Sequence, residues 1–257
     1  VARILITGSA DGLGLMAGQH LARSGHEVVL HARSDARGEA ARRALPEAAG
    51  VLIDDVVTIA GMRAVAAQAN ATGRFDAVIH NVGIGYREPR RIPTADGLSH
   101  LFAINVLAPY LLTALIERPD RLVYLSSGMH PGGRPDMDDL QWERRRWNGS
   151  QAYAESKFLD VALAFGVARR WPDVRANALE PGWVPTRMGG PGAPDDLAQA
   201  HLTQAWLAVA DEPLARSTGR YFYHRALREP DPLTRDEACQ DALLDACARL
   251  TGVPFPP

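Results

Sequence analysis

Short apolar runs alternate with longer amphipathic stretches along most of the chain. Arg3 to Thr7, Glu27 to His31, Val51 to Ile53, Asp76 to His80, Arg121 to Leu125 and Val174 to Leu179 read as buried strands. Between them, apolar positions recur at helical spacing over Leu13 to Arg23, Asp35 to Leu45, Thr58 to Ala69, Asp96 to Leu115 and Ala152 to Arg169. Thr218 to Phe222 reads as a final strand. Strands alternating with helices predict a parallel sheet covered on both faces. Such sheets carry ligands beyond the carboxyl ends of their strands, so chemistry is sought in those loops.

No linker or repeat interrupts the pattern, and 257 residues suit one large α/β domain spanning 1–257. A hydrophobic content of 46% with 23% charged residues is ordinary for a globular chain. A net charge of −2 gives no polyanion-binding surface, so no nucleic acid partner is expected. The run Arg144-Arg145-Arg146 reads as a solvated loop. Cys239 and Cys247 would stand about 12 Å apart along a helix, beyond disulfide reach. No apolar run approaches the roughly 20 residues of a membrane span. The expected location is cytoplasmic, with no membrane contact and no metal site. Gly189 to Pro194 reads as a mobile loop.

Two places carry candidate chemistry. The first is Thr7-Gly8-Ser9-Ala10-Asp11-Gly12-Leu13-Gly14, on the turn from the first strand to the first helix. Glycines there let the backbone turn sharply and approach a pyrophosphate, which the helix N-terminus stabilises. Asp11 is unfavourable beside a pyrophosphate unless it turns outward or binds backbone amides. After the second strand comes His31-Ala32-Arg33-Ser34, with no acid before Asp35. A cation there suits a ribose 2′-phosphate, and an acid would suit a 2′-hydroxyl, so Arg33 and Ser34 favour NADP(H) over NAD(H).

The second is Tyr153-Ala154-Glu155-Ser156-Lys157. Residues four apart share a helix face, so the phenol and the ammonium are neighbours. A nearby cation favours the phenolate and fits a tyrosine for proton transfer near neutral pH. Leu125-Ser126-Ser127 ends the fifth strand, and Asn105 lies in the helix before it.

Together these motifs resemble the short-chain dehydrogenase/reductase family, and the Ser126-Ser127-x-x-His130 start and Asp138-Asp139-Leu140 middle of the long segment before Tyr153 resemble its retinol-dehydrogenase-like NADP(H) branch. The glycine segment resembles the family's Thr-Gly-x-x-x-Gly-x-Gly signature, although Asp11 stands where a small polar residue is usual. The resemblance runs from Arg3 to about Thr186 and implies a single Rossmann-type, doubly wound parallel sheet. It implies a catalytic set in which Ser127 polarises the substrate carbonyl and Tyr153 moves the proton. Lys157 would bind the nicotinamide ribose and tune Tyr153, while Asn105 helps hold a relay water. Ser126 competes with Ser127 for the serine position.

By the same resemblance, Gly8, Ser9, Asp11, Gly12, Leu13 and Gly14 would line the pyrophosphate, and Arg33 and Ser34 the 2′ position. Asp55 and Val56 would meet the adenine, with Asp54 as rival in an ambiguous register. His80-Asn81-Val82-Gly83 stands where the family has Asn-Asn-Ala-Gly; Asn81, Val82 and Gly83 would lie along the cofactor, with His80 structural. Pro181-Gly182-Trp183-Val184-Pro185-Thr186 matches Pro-Gly-x-Val-x-Thr, bringing Pro181, Gly182, Val184 and Thr186 to the nicotinamide. An insert at about 128–150 would form one pocket wall, with His130, Trp142 and Trp147 as candidate lining. Trp183 and a loop at about 187–215 would oppose it.

The expected activity is carbonyl–alcohol interconversion on a small molecule with a hydrophobic body. A non-catalytic NADP(H)-binding regulator or scaffold is the alternative; an epimerase or dehydratase of longer chains ranks third. The family commonly forms a homodimer or homotetramer through the helices holding Asn105 and Tyr153.

Overall fold

The computed structural model describes residues 1–257. Six parallel strands form where the apolar runs fall: β1 (Arg3–Ile6), β2 (Glu27–Ala32), β3 (Gly50–Ile53), β4 (Ala77–His80), β5 (Arg121–Leu125) and β6 (Arg175–Glu180). β7 (Tyr221–Tyr223) extends the parallel sheet, and β8 (Ala226–Leu227) turns back antiparallel at its edge. The order across the sheet is β3-β2-β1-β4-β5-β6-β7-β8. The chain therefore builds outward from β1 to β3, returns to β4, and builds outward the other way. That reversal opens a crevice beyond the carboxyl ends of β1 and β4. This is the doubly wound, Rossmann-type sheet expected.

Each strand feeds both faces, because successive side chains point oppositely. Ile4 and Ile6 join a core with α1 (Gly12–Arg23), α2 (Asp35–Ala44) and α7 (Leu202–Val209). Leu5 points the other way, into a larger core with α3 (Ile59–Ala71), α5 (Ala108–Leu115), α6 (Gly149–Arg170) and α8 (Glu237–Thr251). Burial on both sides is why the strands read as continuous apolar runs.

The helix expected from Asp96 begins later, as the single turn α4 (His100–Phe102). Gly97 takes φ +78° and Pro93 bridges Ser99, so Asp96 belongs to a tight turn. A π-helical turn, Ala103–Leu107, then separates α4 from α5. Three elements were absent from the sequence reading: α7, α8 and β8. Cys239 and Cys247 both lie on α8 and are free thiols.

α6 is buried within the chain from Ala152 to Ala168. The C-terminal segment completes its cover. Trp171 packs at a tilt against Phe255 at 4.8 Å, donates to the Pro256 carbonyl at 3.2 Å, and has Arg118 over its ring at 4.2 Å. Tyr110 of α5 donates to the Val253 carbonyl at 2.8 Å. The helices through which the resemblance places homodimer or homotetramer contacts are thus covered by the chain's own tail and α8.

Because Trp171 anchors this cover at the base of α6, Trp171→Ala is expected to cost about 3–5 kcal/mol of stability. Chemical denaturation measures it; a loss below about 1 kcal/mol would show that the tail does not brace α6.

Candidate active site

The glycine turn is shaped by close approaches. Gly8 has φ +61°, and a Cβ there would lie 2.8 Å from Val82 Cα. A Cβ at Gly14 would lie 2.5 Å from Asn81 Nδ2. At Gly12, φ is +55° and a Cβ would meet nothing within 4 Å, so this glycine faces open space. The turn is clasped to the end of β4: Thr7 Oγ1 accepts from the Asn81 and Val82 amides at 3.1 Å each. Asn81 Nδ2 donates to the Thr7 and Gly8 carbonyls at 3.0 Å each.

α3, α6 and α8 carry side-chain N-caps, from Thr58, Asn148 and Asp236. α1 and α2, which open beside the crevice, do not: neither Asp11 nor Ser34 makes a capping bond. Their first-turn amides thus lack a side-chain acceptor, the arrangement that receives an anion. Asp11 turns outward, onto Arg37 at 2.5 Å, with Arg187 at 4.0 Å. Arg33 is exposed and has no ionic partner, and Ser34 is exposed beside it. An uncapped helix start over a glycine opening fits the pyrophosphate of a dinucleotide.

Some expected cofactor contacts turn inward instead. Ser9 is fully buried; its hydroxyl donates to the Ile6 carbonyl at 2.7 Å and accepts from the His31 amide at 2.9 Å. It braces the turn rather than facing a ligand. Val56 is 2% exposed, packed in the core, while Asp55 accepts from the Val57 amide at 3.1 Å. His31 has a part that the sequence reading missed. Its Nδ1 accepts from the Gly8 amide at 3.0 Å, so Nε2 carries the proton and donates to the Asp54 carbonyl at 3.0 Å. Burial lowers its pKa, which preserves the neutral acceptor.

At the other end of the crevice, the two serines separate cleanly. Ser126 is buried and donates to the Lys157 carbonyl at 2.7 Å. Ser127 is half-buried, and its hydroxyl only accepts, from the Met129 amide at 3.2 Å. Its O–H is free for a ligand. Its carbonyl is held by three donors: the His130 amide at 3.0 Å, His130 Nδ1 at 2.9 Å and the Tyr221 hydroxyl at 3.3 Å.

Tyr153 is 6% exposed and meets Tyr86 edge-on at 5.6 Å. Its hydroxyl has no oxygen or nitrogen partner and lies 3.8 Å from Met188 Sδ. Lys157 Nζ sits 5.9 Å from the Tyr153 ring centre and donates to the Leu125 carbonyl at 2.8 Å and Asp160 at 2.7 Å. Asn105 falls in the π-helical turn, a feature frequent at functional sites. Its amide clamps Ile84, accepting from N at 2.9 Å and donating to O at 3.1 Å, and donates to Ser156 at 3.0 Å. Asn105 thus fixes the segment after β4 against α6.

The insert differs from expectation. His130 is 2% exposed; with Nδ1 donating to Ser127, its Nε2 accepts from the Asp231 amide at 3.1 Å. It supports Ser127 from behind instead of lining a pocket. Trp142 is also interior, at 7% exposure, donating to Glu155 at 3.1 Å. Arg145 lies 4.0 Å over the Trp142 ring and bonds Glu155 at 2.9 Å and Asp139 at 3.2 Å. The arginine run is therefore a clamp at its middle residue, because two buried carboxylates need a cation. Trp147 remains half-buried, edge-on to Trp142 at 5.6 Å and donating to the Glu88 carbonyl at 2.9 Å.

Pro181 and Gly182 turn the chain out of β6, with Gly182 at φ +88°. Val184 is buried, and Thr186 accepts from the Gly189 amide at 3.2 Å. Trp183 is 56% exposed, its ring N–H bonded to the Gly189 carbonyl at 3.0 Å. Met188 and Tyr86 went unnoticed in the sequence, having no motif to mark them. Lys157 is the only lysine among 28 basic residues. Where arginine serves at every other site, the compact ammonium is kept at one.

Residues 2–120 match the family model described as short chain dehydrogenase. The chain is 40% identical over 260 residues to the short-chain dehydrogenase chyC of Penicillium rubens, covering 100% of both sequences. It is 31% identical over 291 residues to human retinol dehydrogenase 13, covering 98% of this chain and 85% of that protein. An uncharacterised protein from Mycobacterium paratuberculosis has the same fold, with a TM-score of 0.82 at 26% identity, over 100% of this chain and 95% of that one. The chain therefore belongs to the short-chain dehydrogenase family and is an oxidoreductase with retinol-dehydrogenase-like relatives. That family's fold binds a nicotinamide cofactor and acts on small molecules. No helix of the chain is long and apolar enough to cross a membrane.

His80 closes β4 next to the site, bonded to Thr113 at 3.0 Å and stacked on Tyr124 at 4.8 Å. Burial pushes its pKa down to about 3. Unfolded, it titrates near the usual value of about 6.5. Below that pH the unfolded chain binds a proton that the folded chain refuses, so this contribution to stability falls as pH drops. The loss reaches about 1.4 kcal/mol at a pH of about 5.5. In His80→Leu, where Thr113 keeps Tyr124 as its partner at 2.8 Å, that part of the acid sensitivity should vanish. Denaturant titrations at both ends of the range test this; coincident pH dependences would show that His80 is not held neutral.

Proposed function

We propose that this chain is an NADP(H)-dependent oxidoreductase interconverting a carbonyl and an alcohol by hydride transfer. The observation that carries the reading is a Tyr153 hydroxyl whose only partner is the weak acceptor Met188 Sδ, with the chain's one lysine 5.9 Å from its ring and a Ser127 hydroxyl whose proton is free. The nicotinamide, when bound, supplies or accepts the hydride. Ser127 donates a hydrogen bond to the substrate oxygen, stabilising the charge that grows there. Tyr153 passes its phenolic proton to that oxygen as the alcohol forms, and takes it back in the reverse direction. Lys157 holds the nicotinamide ribose and stabilises the phenolate by its charge.

The glycine turn and the uncapped start of α1 receive the pyrophosphate, while Arg33 and Ser34 receive the 2′-phosphate. The free guanidinium of Arg33 favours NADP(H), and solved structures of the same fold include an NADPH complex, at a TM-score of 0.69 and 22% identity. Tyr86, Trp147, Trp183 and Met188 make the substrate side apolar and aromatic, which suits a ketone, aldehyde or secondary alcohol with a hydrophobic body.

Tyr153→Phe should retain NADPH binding and lose at least about 100-fold in carbonyl reduction. Unchanged turnover would remove Tyr153 from the chemistry; an enzyme silent in both forms toward a broad carbonyl panel would favour a binding-only protein. Arg33→Ala should weaken NADPH by about 10- to 100-fold, the worth of charge-assisted hydrogen bonds, and leave NADH nearly unchanged. Equal losses, read by cofactor fluorescence titration, would take Arg33 out of the 2′-phosphate site.

A further inference from the structure

Lys157 is 5% exposed, and a desolvated ammonium is costly unless it is paired and hydrogen-bonded. Of its three N–H donors, one goes to the Leu125 carbonyl and one to Asp160 Oδ2. Asp160 lies three residues on, one helical turn deeper in α6, and is 2% exposed. Its second oxygen, Oδ1, has no partner. No other carboxylate is bonded to the ammonium. Glu155, on the same helix, is committed to Arg145 and Trp142.

Among the neighbouring groups only the Tyr153 phenol, once ionised, adds its charge to that of Asp160. Tyr124 on β5 feels the Asp160 carboxylate, and burial pushes its phenol well above the ordinary range. His80 on β4, joined to Tyr124 through Thr113 of α5, is held neutral by burial. Tyr153 on α6 lies on the crevice side of the amine. A Cβ at Gly83 would stand 3.6 Å from Nζ, so the amine borders the crevice on that side too.

We propose that Asp160 is the positioning residue of Lys157: its buried carboxylate keeps the amine charged in a dry interior and leaves the remaining N–H for the crevice beside Tyr153 and Gly83. Burial alone would drive the amine towards its neutral form; Asp160, by charge and hydrogen bond, is the main opposing group, with the Tyr153 phenolate adding to it, and the balance holds the Lys157 pKa above the usual lysine value. Burial correspondingly raises the Asp160 pKa to about 6 against the pull of Lys157. The purpose of this arrangement rests on the oxidoreductase reading, but its existence does not, and its test needs no turnover.

Because the chain has one lysine, selective ε-nitrogen-15 lysine labelling gives one side-chain resonance whose shift reports its charge. In the wild-type protein the ammonium signal should persist past the ordinary lysine value of about 10.4. In Asp160→Asn the midpoint should fall by about 2 pH units or more, as for a buried amine without a counter-charge. Asp160→Glu should restore most of the shift. If Asp160→Asn does not fold, Asp160→Ser, with space for a water, carries the same measurement. An unmoved midpoint in the folded variant overturns the assignment, whether or not the protein reduces carbonyls.

Discussion

A charged amine held in a dry interior is the constraint around which the catalytic end of this chain is arranged. The Lys157 ammonium draws in the last carbonyl of β5 and the Asp160 carboxylate, and the Lys157 carbonyl takes the Ser126 hydroxyl. Those bonds seam α6 to the end of β5. The seam joins Lys157, on the Tyr153 helix, to the strand end that carries Ser127. It also explains why α6 is buried throughout. A helix that must present a phenol and an ammonium at fixed positions needs packing on every side, and α8 and the C-terminal segment provide it.

The cofactor end depends on a second set of bonds, among neutral groups. Thr7 and Asn81 tie the glycine turn to β4, while Ser9 and His31 tie it to β2 and the end of β3. A turn held from three strands keeps its shape without a ligand, so its open amides need not reorganise to receive one. Asn105 connects the two ends. It clamps Ile84, just beyond Asn81 to Gly83, onto Ser156 of the Tyr153–Lys157 helix.

The sheet was legible in the sequence because strands buried on both faces leave continuous apolar runs, and β1 to β6 lie within a residue or two of the reading. The glycine turn, Tyr153 and Lys157 were legible because their chemistry demands fixed types at fixed spacings. Between the two serines the resemblance favoured Ser127, but the physical reason, that the Ser126 hydroxyl is spent on the Lys157 carbonyl, needed the fold. His130 and Trp142 misled because residues in an insert advertise chemistry but not direction, and Arg145, read as solvated, is drawn inward by Asp139 and Glu155. Two ring nitrogens satisfied by backbone, or a guanidinium between buried carboxylates, can be seen only in three dimensions. Met188 reaches Tyr153 from a Gly- and Pro-rich loop whose path no periodicity predicts.

Transfer of deuterium from 4-deuterated NADPH to a panel of hydrophobic ketones and aldehydes tests the central claim most directly. The account predicts label on the carbinol carbon of the product, in an amount matching the NADPH consumed. NADPH that binds firmly yet delivers no deuterium to any member of the panel would contradict it.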